Sequence, residues 1–170
     1  MKRIITLVGF MGTGKSTVGR ILAARLGYKL VDVDHEIENE QGVTISQIFS
    51  DLGEPYFRML ERDMIKSLSS KEKLVVSAGG GAVIDPKNVE HMKMGGPVVC
   101  LTATPEEIFR RVGGSKHRPL LQAPDPMARI VELLAAREQY YMRADIVIDT
   151  SGLKPDKVAD NILEKVRGIL

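Results

Sequence analysis

Short apolar runs alternate along the chain with longer segments whose apolar residues recur every three or four positions. The runs lie at 4–8, 28–34, 74–77, 97–101 and 145–150, and each has the compact composition of a buried strand. The segments between them have the apolar spacing of amphipathic helices. Strands that alternate with helices predict right-handed βαβ crossovers. We therefore expect an α/β fold, with a five-stranded, mostly parallel sheet and helices on both faces.

Polar caps, prolines and glycines mark where the predicted helices begin and end. Thr44 and Gln47 have the capping-box spacing at the start of a helix that Gly53 closes. Asp85 and Asp125 each precede a proline, which is the usual order at a helix N-terminus. The sequence has no repeat, linker or low-complexity tract, so we expect a single domain over 1–170.

The most specific motif is the stretch 9–17, GFMGTGKST, which fits the P-loop pattern G-x-x-x-x-G-K-[ST]. It follows the apolar run 4–8 and precedes a helical pattern over 18–26. The backbone N–H groups of such a loop and the adjoining helix N-terminus bind phosphate oxygens. In this motif Lys15 reaches the β- and γ-phosphates, and the Ser16 hydroxyl is a ligand of Mg²⁺. The candidate nucleotide-binding residues are Gly12, Thr13, Gly14, Lys15, Ser16 and Thr17.

Composition and charge add limits rather than a function. Of 170 residues, 44% are hydrophobic and 27% are charged, which is ordinary for a globular domain. A net charge of +2 does not favour nucleic acid or a membrane as a partner, and no run is long and apolar enough to span a bilayer. The single cysteine, Cys100, excludes an internal disulfide and suits a reducing compartment. We expect a cytoplasmic protein in which this thiol is buried in a strand.

Two acids, Asp32 and Asp34, end the second predicted strand. Residues i and i+2 of a strand point to the same side, so both carboxylates should emerge together where open α/β sheets bind ligands. A plainer alternative stays open, in which Asp34 only caps the helix that follows at 35–40.

Three consecutive glycines, Gly79, Gly80 and Gly81, follow the third strand. Each weakens a regular element by about 1 kcal/mol relative to alanine. The run therefore indicates either a tight turn or a place where a ligand approaches bare backbone.

Two arginines are candidates for binding an anion. Arg137 interrupts the apolar stripe that carries Ile130 and Tyr141, and a cation there needs an acidic partner or an anionic ligand. Arg58 lies one helical turn from Glu61, a spacing that alone would indicate a solvated ion pair.

The segment 113–125, GGSKHRPLLQAPD, has no periodicity and is rich in glycine, proline and cations. A loop of this length in a compact domain is usually functional or disordered. Its cations Lys116, His117 and Arg118 make it a candidate for a mobile lid over phosphates.

Taken together, these motifs resemble those of the shikimate kinases, over essentially the whole chain. The resemblance rests on motifs in the family's order, namely GFMGTGKST at 9–17, DVD at 32–34, GEPYFRMLE at 53–61, SAGGGA at 77–82, RPLL at 118–121, and Arg137 followed by Tyr141. One departure is Gln139, where the family usually has proline.

The resemblance implies ATP-dependent phosphorylation of the 3-hydroxyl of shikimate by a monomer. It implies a P-loop kinase fold like that of the nucleoside monophosphate kinases, with a mobile lid at about 113–125 and substrate-binding helices at about 34–62.

The catalytic residues would be Lys15, Asp34 and Arg118, and Asp34 would accept the proton of the hydroxyl. Arg111 and Pro155 would flank the adenine, and Arg118 would also contact ATP. Mg²⁺ would be held by Ser16 and, through water, by Asp32. The residues expected to hold shikimate are Asp34, Arg58, Glu61, Gly79, Gly80, Gly81 and Arg137, with Glu61 orienting Arg58.

Two other functions stay open at this point. A kinase of another small polyol acid, such as a gluconate kinase, would share the P-loop and lid without obviously needing Arg58, the glycine run and Arg137. A nucleotide-binding switch or pseudoenzyme would bind nucleotide without transfer. The chain has no [NT]-K-x-D motif for guanine, which argues against a GTPase-type switch.

Overall fold

The structure, a computed structural model, describes residues 4–112 and 123–169. Five strands lie in these ranges, and they are β1 (Ile4–Val8), β2 (Lys29–Asp32), β3 (Leu74–Ser77), β4 (Val98–Thr102) and β5 (Ile146–Asp149). They form one parallel sheet in the order β2-β3-β1-β4-β5. The predicted α/β fold is therefore confirmed, although most strand ends differ from the predicted ones by one or two residues.

The helices within the same ranges are α1 (Lys15–Leu26), α2 (Val33–Gln41), α3 (Ile45–Leu52), α4 (Glu54–Ser69), α5 (Pro86–Gly95), α6 (Pro105–Val112), α7 (Pro126–Tyr141) and α8 (Pro155–Val166). A 3₁₀ turn at Ala82–Ile84 precedes α5. The predicted capping box of Thr44 and Gln47 is confirmed, as are the caps at Asp85 and Asp125. None of these helices has both the length and the hydrophobicity that a membrane crossing requires.

Helices cover both faces of the sheet because the strands are apolar on both sides. In β1, Ile5 and Leu7 pack in one cluster with α1 and α8, while Ile4 and Val8 pack in the other with α4 and α5. Full burial of each such side chain contributes about 1.5–3 kcal/mol. Cys100 of β4 is buried as predicted, and burial raises the pKa of its thiol to about 12.

The sheet brings the ends of its strands together at one edge. Leu7 of β1 and Asp32 of β2 are both paired with Ser77 of β3, so these three strands finish side by side. The P-loop, the acidic pair and the glycine run each follow one of these ends. In parallel sheets ligands bind at the carboxyl edge, where such loops meet.

Candidate active site

One large cavity, about 620 Å³ in volume, opens at the carboxyl edge of β1, β2 and β3. It is bounded by the P-loop, the start of α2, α3, α4, the turn after β3, α6 and α7. Most of its polar wall was predicted from segments that lie far apart in the chain. The predicted residues that line it are Gly12, Gly14, Lys15, Ser16, Thr17, Asp32, Asp34, Arg58, Glu61, Gly79, Gly80, Gly81, Arg111 and Arg137.

The P-loop is held together by its own carbonyl groups. The buried Thr13 donates from Oγ1 to the Phe10 carbonyl at 2.7 Å. The Lys15 ammonium donates to the carbonyls of Gly9 at 2.8 Å and Phe10 at 3.0 Å. Gly9 has a φ of 136°, and a Cβ there would overlap the carbonyl oxygen of Leu101, so the bend after β1 requires glycine. This bend places Lys15 at the cavity.

The predicted strand 28–34 is too long. Because β2 ends earlier, Asp32 and Asp34 belong to different elements. β2 stops at Asp32, whose carboxylate accepts the His35 N–H at 3.2 Å and caps α2. The alternative in which Asp34 is the cap is therefore wrong. Asp34 lies in the first turn of α2, where the helix dipole stabilises a negative charge. Both carboxylates still line the same cavity, although not from one strand.

Asp34 lines this cavity and has one buried oxygen without a partner in the described part of the chain. Its Oδ1 is shielded from solvent and has no hydrogen-bond partner in residues 4–112 and 123–169. Burial is the main reason why the pKa of Asp34 is raised, and the charge of Asp32 adds to the shift, while Arg58 and Lys15 oppose it. A buried acceptor without a partner costs about 1–3 kcal/mol. The carboxylate as a whole lines the cavity, where it can accept a hydrogen bond from a bound hydroxyl group.

Arg58 and Glu61 form a partly buried pair on α4, in which Glu61 is buried and Arg58 is 31% exposed. Glu61 is 1% exposed, and Arg58 Nη1 donates to Glu61 Oε2 at 2.9 Å. Arg58 also donates to Glu54 Oε1, from Nη2 at 3.1 Å and from Nε at 3.3 Å. Burial raises the pKa of Glu61, and the charge of Arg58 opposes that shift. The predicted site did not include Glu54, although its i,i+4 spacing to Arg58 is a readable signal.

The glycine run 79–81 forms a turn that protein side chains approach closely. A Cβ on Gly81 would lie 2.7 Å from Arg58 Nη2, and one on Gly79 would lie 3.3 Å from Asp34 Oδ1. The predicted tight turn is confirmed, and the approach of a ligand to this backbone stays a prediction. The guanidinium of Arg58 keeps its position because Gly81 has no side chain.

Arg137 reaches the cavity from α7 and contacts an aromatic ring. Its Cζ lies 5.8 Å from the centroid of the Phe10 ring, a cation–π arrangement. No carboxylate in the described part of the chain lies within 4.0 Å of its guanidinium. The sequence left open an acidic partner or an anionic ligand for this cation, and the described residues supply no acidic partner.

A second cavity, about 360 Å³ in volume, lies beside the P-loop and is lined by Arg111 and Pro155. Arg111 Nε donates to Glu107 at 2.9 Å, and its Nη atoms donate to the Thr150 hydroxyl at 3.0 Å, the Thr150 carbonyl at 3.1 Å and a P-loop carbonyl at 3.1 Å. Hydrogen bonds from Arg110 and Arg111 lower the pKa of Glu107 to about 2, so this carboxylate stays ionised. The predicted residues Thr13, Gly14 and Thr17 also line this cavity.

The sequence did not reveal the apolar part of the main cavity. Ile45 and Phe49 of α3 and Phe57 of α4 line it, and the rings of Phe49 and Phe57 lie 5.0 Å apart. None of the three is among the residues that the sequence predicted for the site. One signal was available in the sequence, because the eight-residue α3 carries more apolar residues than a core contact needs. In the structure only Ile48 of these is buried.

Ser16 and Asp32, the predicted magnesium ligands, line the same cavity as Lys15. Hydroxyl and carboxylate oxygens are the hard donors that Mg²⁺ prefers. Within the two described ranges, no group of three or more His, Cys, Asp or Glu side chains could hold a metal. The donors fit an ion that takes most of its ligands from phosphate and water.

Arg118 and the motif at 118–121 lie outside the described residues, as does the segment 113–122. Residues 123–125, the end of the predicted lid, lead directly into α7. The lid and the role of Arg118 stay predictions.

Comparison with known proteins adds independent findings. The family model described as shikimate kinase matches residues 11–167. The shikimate kinase of Thermodesulfovibrio yellowstonii is 46% identical over 97% of this chain and 95% of its own length. That of Geobacter metallireducens is also 46% identical, over 99% of this chain and 92% of its own.

Solved structures agree with this result. A shikimate kinase from Acinetobacter baumannii in complex with shikimate superposes with a TM-score of 0.91 at 40% identity, covering 98% of this chain and 93% of that one. The shikimate kinase from Bacteroides thetaiotaomicron gives a TM-score of 0.89 at 31% identity, covering 97% of this chain and 98% of that one.

Proposed function

The chain belongs to the shikimate kinase family, and on that premise we propose how its residues divide the work of phosphoryl transfer. The enzyme transfers the γ-phosphoryl group of ATP to the 3-hydroxyl of shikimate. Its product, 3-phosphoshikimate, serves chorismate and aromatic amino acid biosynthesis. One observation carries the site assignment, namely that Lys15, Asp34 and Arg137 line one cavity.

The acceptor hydroxyl binds next to Asp34. The 3-hydroxyl oxygen attacks the γ-phosphorus, the bond from that phosphorus to the β–γ bridging oxygen breaks, and ADP leaves. The hydroxyl proton passes to the Asp34 carboxylate. An ordinary aspartate, with a pKa of about 4, is a poor base for an alcohol. The raised pKa of Asp34 reduces this mismatch, and the larger contribution of the residue is to orient the hydroxyl while the proton leaves late.

Lys15 stabilises the charge on the transferred group. Its ammonium contacts two neutral carbonyls, those of Gly9 and Phe10. A phosphate oxygen is a stronger acceptor than a carbonyl because it carries charge. The P-loop amides of 12–17 add donors around the β-phosphate. The carbonyl contacts hold the lysine near its working position, so little reorganisation is needed when ATP binds.

Arg58 and Arg137 bind the shikimate carboxylate. A planar guanidinium presents two parallel donors that match a carboxylate. Glu61 and Glu54 hold Arg58 in place, while Arg137 has a charge that a carboxylate ligand can neutralise. The backbone of 79–81 and Asp34 then face the ring hydroxyls. The helices at about 34–62 are accordingly the substrate-binding part of the domain.

The second cavity holds the adenine end of ATP. Arg111 lies on one side of it with its donors directed to Glu107 and Thr150, which leaves the flat face of its guanidinium for stacking. Pro155 lies on another wall. Arg118 adds positive charge near the phosphates, and the segment 113–125 closes over both substrates, as the sequence predicts.

Mg²⁺ is the expected cofactor, with Ser16 as a direct ligand and Asp32 bound through water. When bound, the ion neutralises charge on the β- and γ-phosphates. The protein's own contribution is positional, because Asp32 is fixed as the cap of α2.

We also propose a cytoplasmic monomer whose partners are ATP and shikimate.

A coupled ADP-release assay tests the function, with shikimate, quinate and gluconate offered separately. Saturable release with shikimate, absent without an acceptor, is the expected result. Faster release with gluconate would favour the polyol-acid kinase instead. ATP binding without release for any acceptor would identify a nucleotide-binding protein without transfer.

A further inference from the structure

We propose that Tyr141 is a positioning residue for the acceptor substrate, and that its hydroxyl fixes Arg137 and the glycine turn relative to each other. The proposal rests on the assignment of Arg137 and Gly80 to shikimate binding made above. Tyr141 does not touch the reacting atoms. Its contribution is the geometry of the groups that do.

Four residues meet at one point, and we call them the acceptor junction: Gly9, Gly80, Arg137 and Tyr141. The Tyr141 hydroxyl donates to the Gly80 carbonyl at 2.9 Å. A Cβ placed on Gly80 would lie 3.3 Å from Arg137 Nη1, 3.4 Å from the Gly9 carbonyl oxygen and 3.5 Å from the Tyr141 hydroxyl oxygen. The P-loop, the turn after β3 and α7 therefore touch at Gly80.

The hydrogen bond from Tyr141 connects α7 to the turn after β3. Within the two described ranges, no other hydrogen bond or ion pair joins the turn 79–84 to α7. Arg137 lies one turn before Tyr141 on the same helix, and its guanidinium acts on the Tyr141 hydroxyl through its charge and a hydrogen bond. The same bond occupies the Gly80 carbonyl and thereby restrains the turn that lines the cavity.

Tyr141 is built to donate at neutral pH. The residue is 4% exposed. Burial raises the pKa of its phenol, and the nearby charge of Arg137 opposes that shift. Its hydroxyl therefore stays protonated, and a phenylalanine would keep the packing while removing the donor.

The chain offers a matched control in the preceding residue. Tyr140 lies on the same helix, half-buried, and its ring stacks on Arg143 with Cζ 4.9 Å from the ring centroid. Among the described residues its hydroxyl has no hydrogen-bond partner. Tyr140→Phe therefore removes an identical group from the same helix without touching the acceptor junction.

The test compares Tyr141→Phe, Tyr140→Phe and the wild type, all confirmed as folded by circular dichroism. We expect Tyr141→Phe to raise KM for shikimate by about three- to tenfold, the effect of losing one net hydrogen bond, with KM for ATP unchanged. Tyr140→Phe should stay within about 1.5-fold of the wild type, because its hydroxyl makes no bond. A Tyr141→Phe enzyme that behaves like Tyr140→Phe, or one whose two KM values rise together, overturns the proposal.

A second measurement does not depend on the fraction of folded enzyme. The ratio of kcat/KM for shikimate to kcat/KM for its neutral amide reports how well the arginines discriminate a carboxylate. Misplacing Arg137 should lower this ratio in Tyr141→Phe by about three- to tenfold. An unchanged ratio would show that Tyr141 has a structural role alone.

Arg137→Ala tests the proposed substrate-binding role of Arg137 separately from the positioning role of Tyr141. If it leaves shikimate KM unchanged, the proposed role of Arg137 is wrong. If it raises shikimate KM while Tyr141→Phe does not, the substrate assignment stands and only the positioning role of Tyr141 fails.

Discussion

Two groups of charged residues line the main cavity and satisfy their charges in different ways, and we call them the transfer end and the carboxylate end after the roles proposed for them. At the transfer end, Lys15 contacts neutral carbonyls and Asp34 has an oxygen without a partner in the described residues. At the carboxylate end, Arg58 is bound by two glutamates and Arg137 lies on the ring of Phe10. The first end is poised for groups whose charge changes during a reaction. The second is poised for a ligand whose charge is constant.

This difference predicts which kinetic constant each residue controls. Interactions that strengthen only in the transition state change kcat, whereas interactions equal in both states change KM. Residues of the transfer end should therefore act on kcat and those of the carboxylate end on the KM for shikimate. The first three predictions below test that division and the fourth tests the buried charge of Glu61, from the largest effect to the smallest.

Lys15→Met should have the largest effect. Removing a preorganised donor to the transferred group lowers kcat by a factor on the order of 10²–10³, and the thioether of methionine cannot replace the ammonium. Steady-state turnover on protein shown to be folded by thermal unfolding measures this. Near-native turnover in a folded variant would refute the P-loop assignment.

Asp34→Asn should come next. Asparagine keeps the shape of the side chain but loses the charge and the basic oxygen, so we expect kcat to fall by about two orders of magnitude. Affinity for shikimate should change by less than about threefold, because a hydrogen bond is still available. Titration calorimetry and single-turnover kinetics separate the two. If affinity collapses while bound substrate still reacts at the native rate, Asp34 belongs to the binding end.

Arg137→Ala should act on the other constant. A charge-assisted contact contributes about 1.5–3 kcal/mol, so shikimate binding should weaken roughly ten- to a hundredfold, with ATP binding little changed. Arg137→Lys should recover part of the loss because it restores the charge but not the planar fork. Fluorescence or calorimetric titration with each substrate checks both variants. A fall in kcat without a change in affinity would erase the distinction between the two ends.

Glu61→Gln should show the smallest effect, on stability. Burial raises the pKa of Glu61 above its ordinary value of 4.5, so the folded protein binds more protons than the unfolded chain. The free energy of unfolding therefore falls as pH rises from about 4.5 through the raised pKa. Glutamine has no such loss, so its advantage in Tm should grow over this window by a few degrees, at about 2–4 °C per kcal/mol for a chain of this size.

A matched control for that experiment lies on α7. Arg129 and Glu132 form the same i,i+3 pair at 2.8 Å, but Glu132 is 67% exposed. Glu132→Gln should leave the pH dependence of Tm as in the wild type, because water screens this pair. Equal behaviour of the two variants would show that the burial of Glu61 carries no stability cost.

The fold was predictable because its signals are local. The P-loop pattern, the capping box at Thr44 and the proline starts at Asp85 and Asp125 each depend on residues within one turn. The strand end at Asp32 was predicted wrongly because alternating acids suit both a strand and a helix start.

The identities of the charged groups were predictable, but many of their partners were not. Arg111 bonds to Thr150, which is 39 positions away, and such pairing is set by packing rather than by spacing. The contact of Arg137 with Phe10 likewise joins residues that lie far apart in the sequence. The resemblance supplied the members of the site, while the structure supplied how they are held.

The direct passage from β2 to α2 has a consequence for how this chain tolerates length changes. Asp32 ends the strand and Val33 begins the helix, so there is no loop between them to absorb an extra residue. One inserted residue would turn Asp34 by about 100° around the helix axis and advance it by about 1.5 Å, which would carry its carboxylate out of the cavity. The connection at 70–73 between α4 and β3 contains no residue that lines the cavity. We expect the enzyme to tolerate an inserted residue at 70–73 and to lose activity when one is inserted at 32–34. The direct connection from strand to helix therefore sets the position of Asp34.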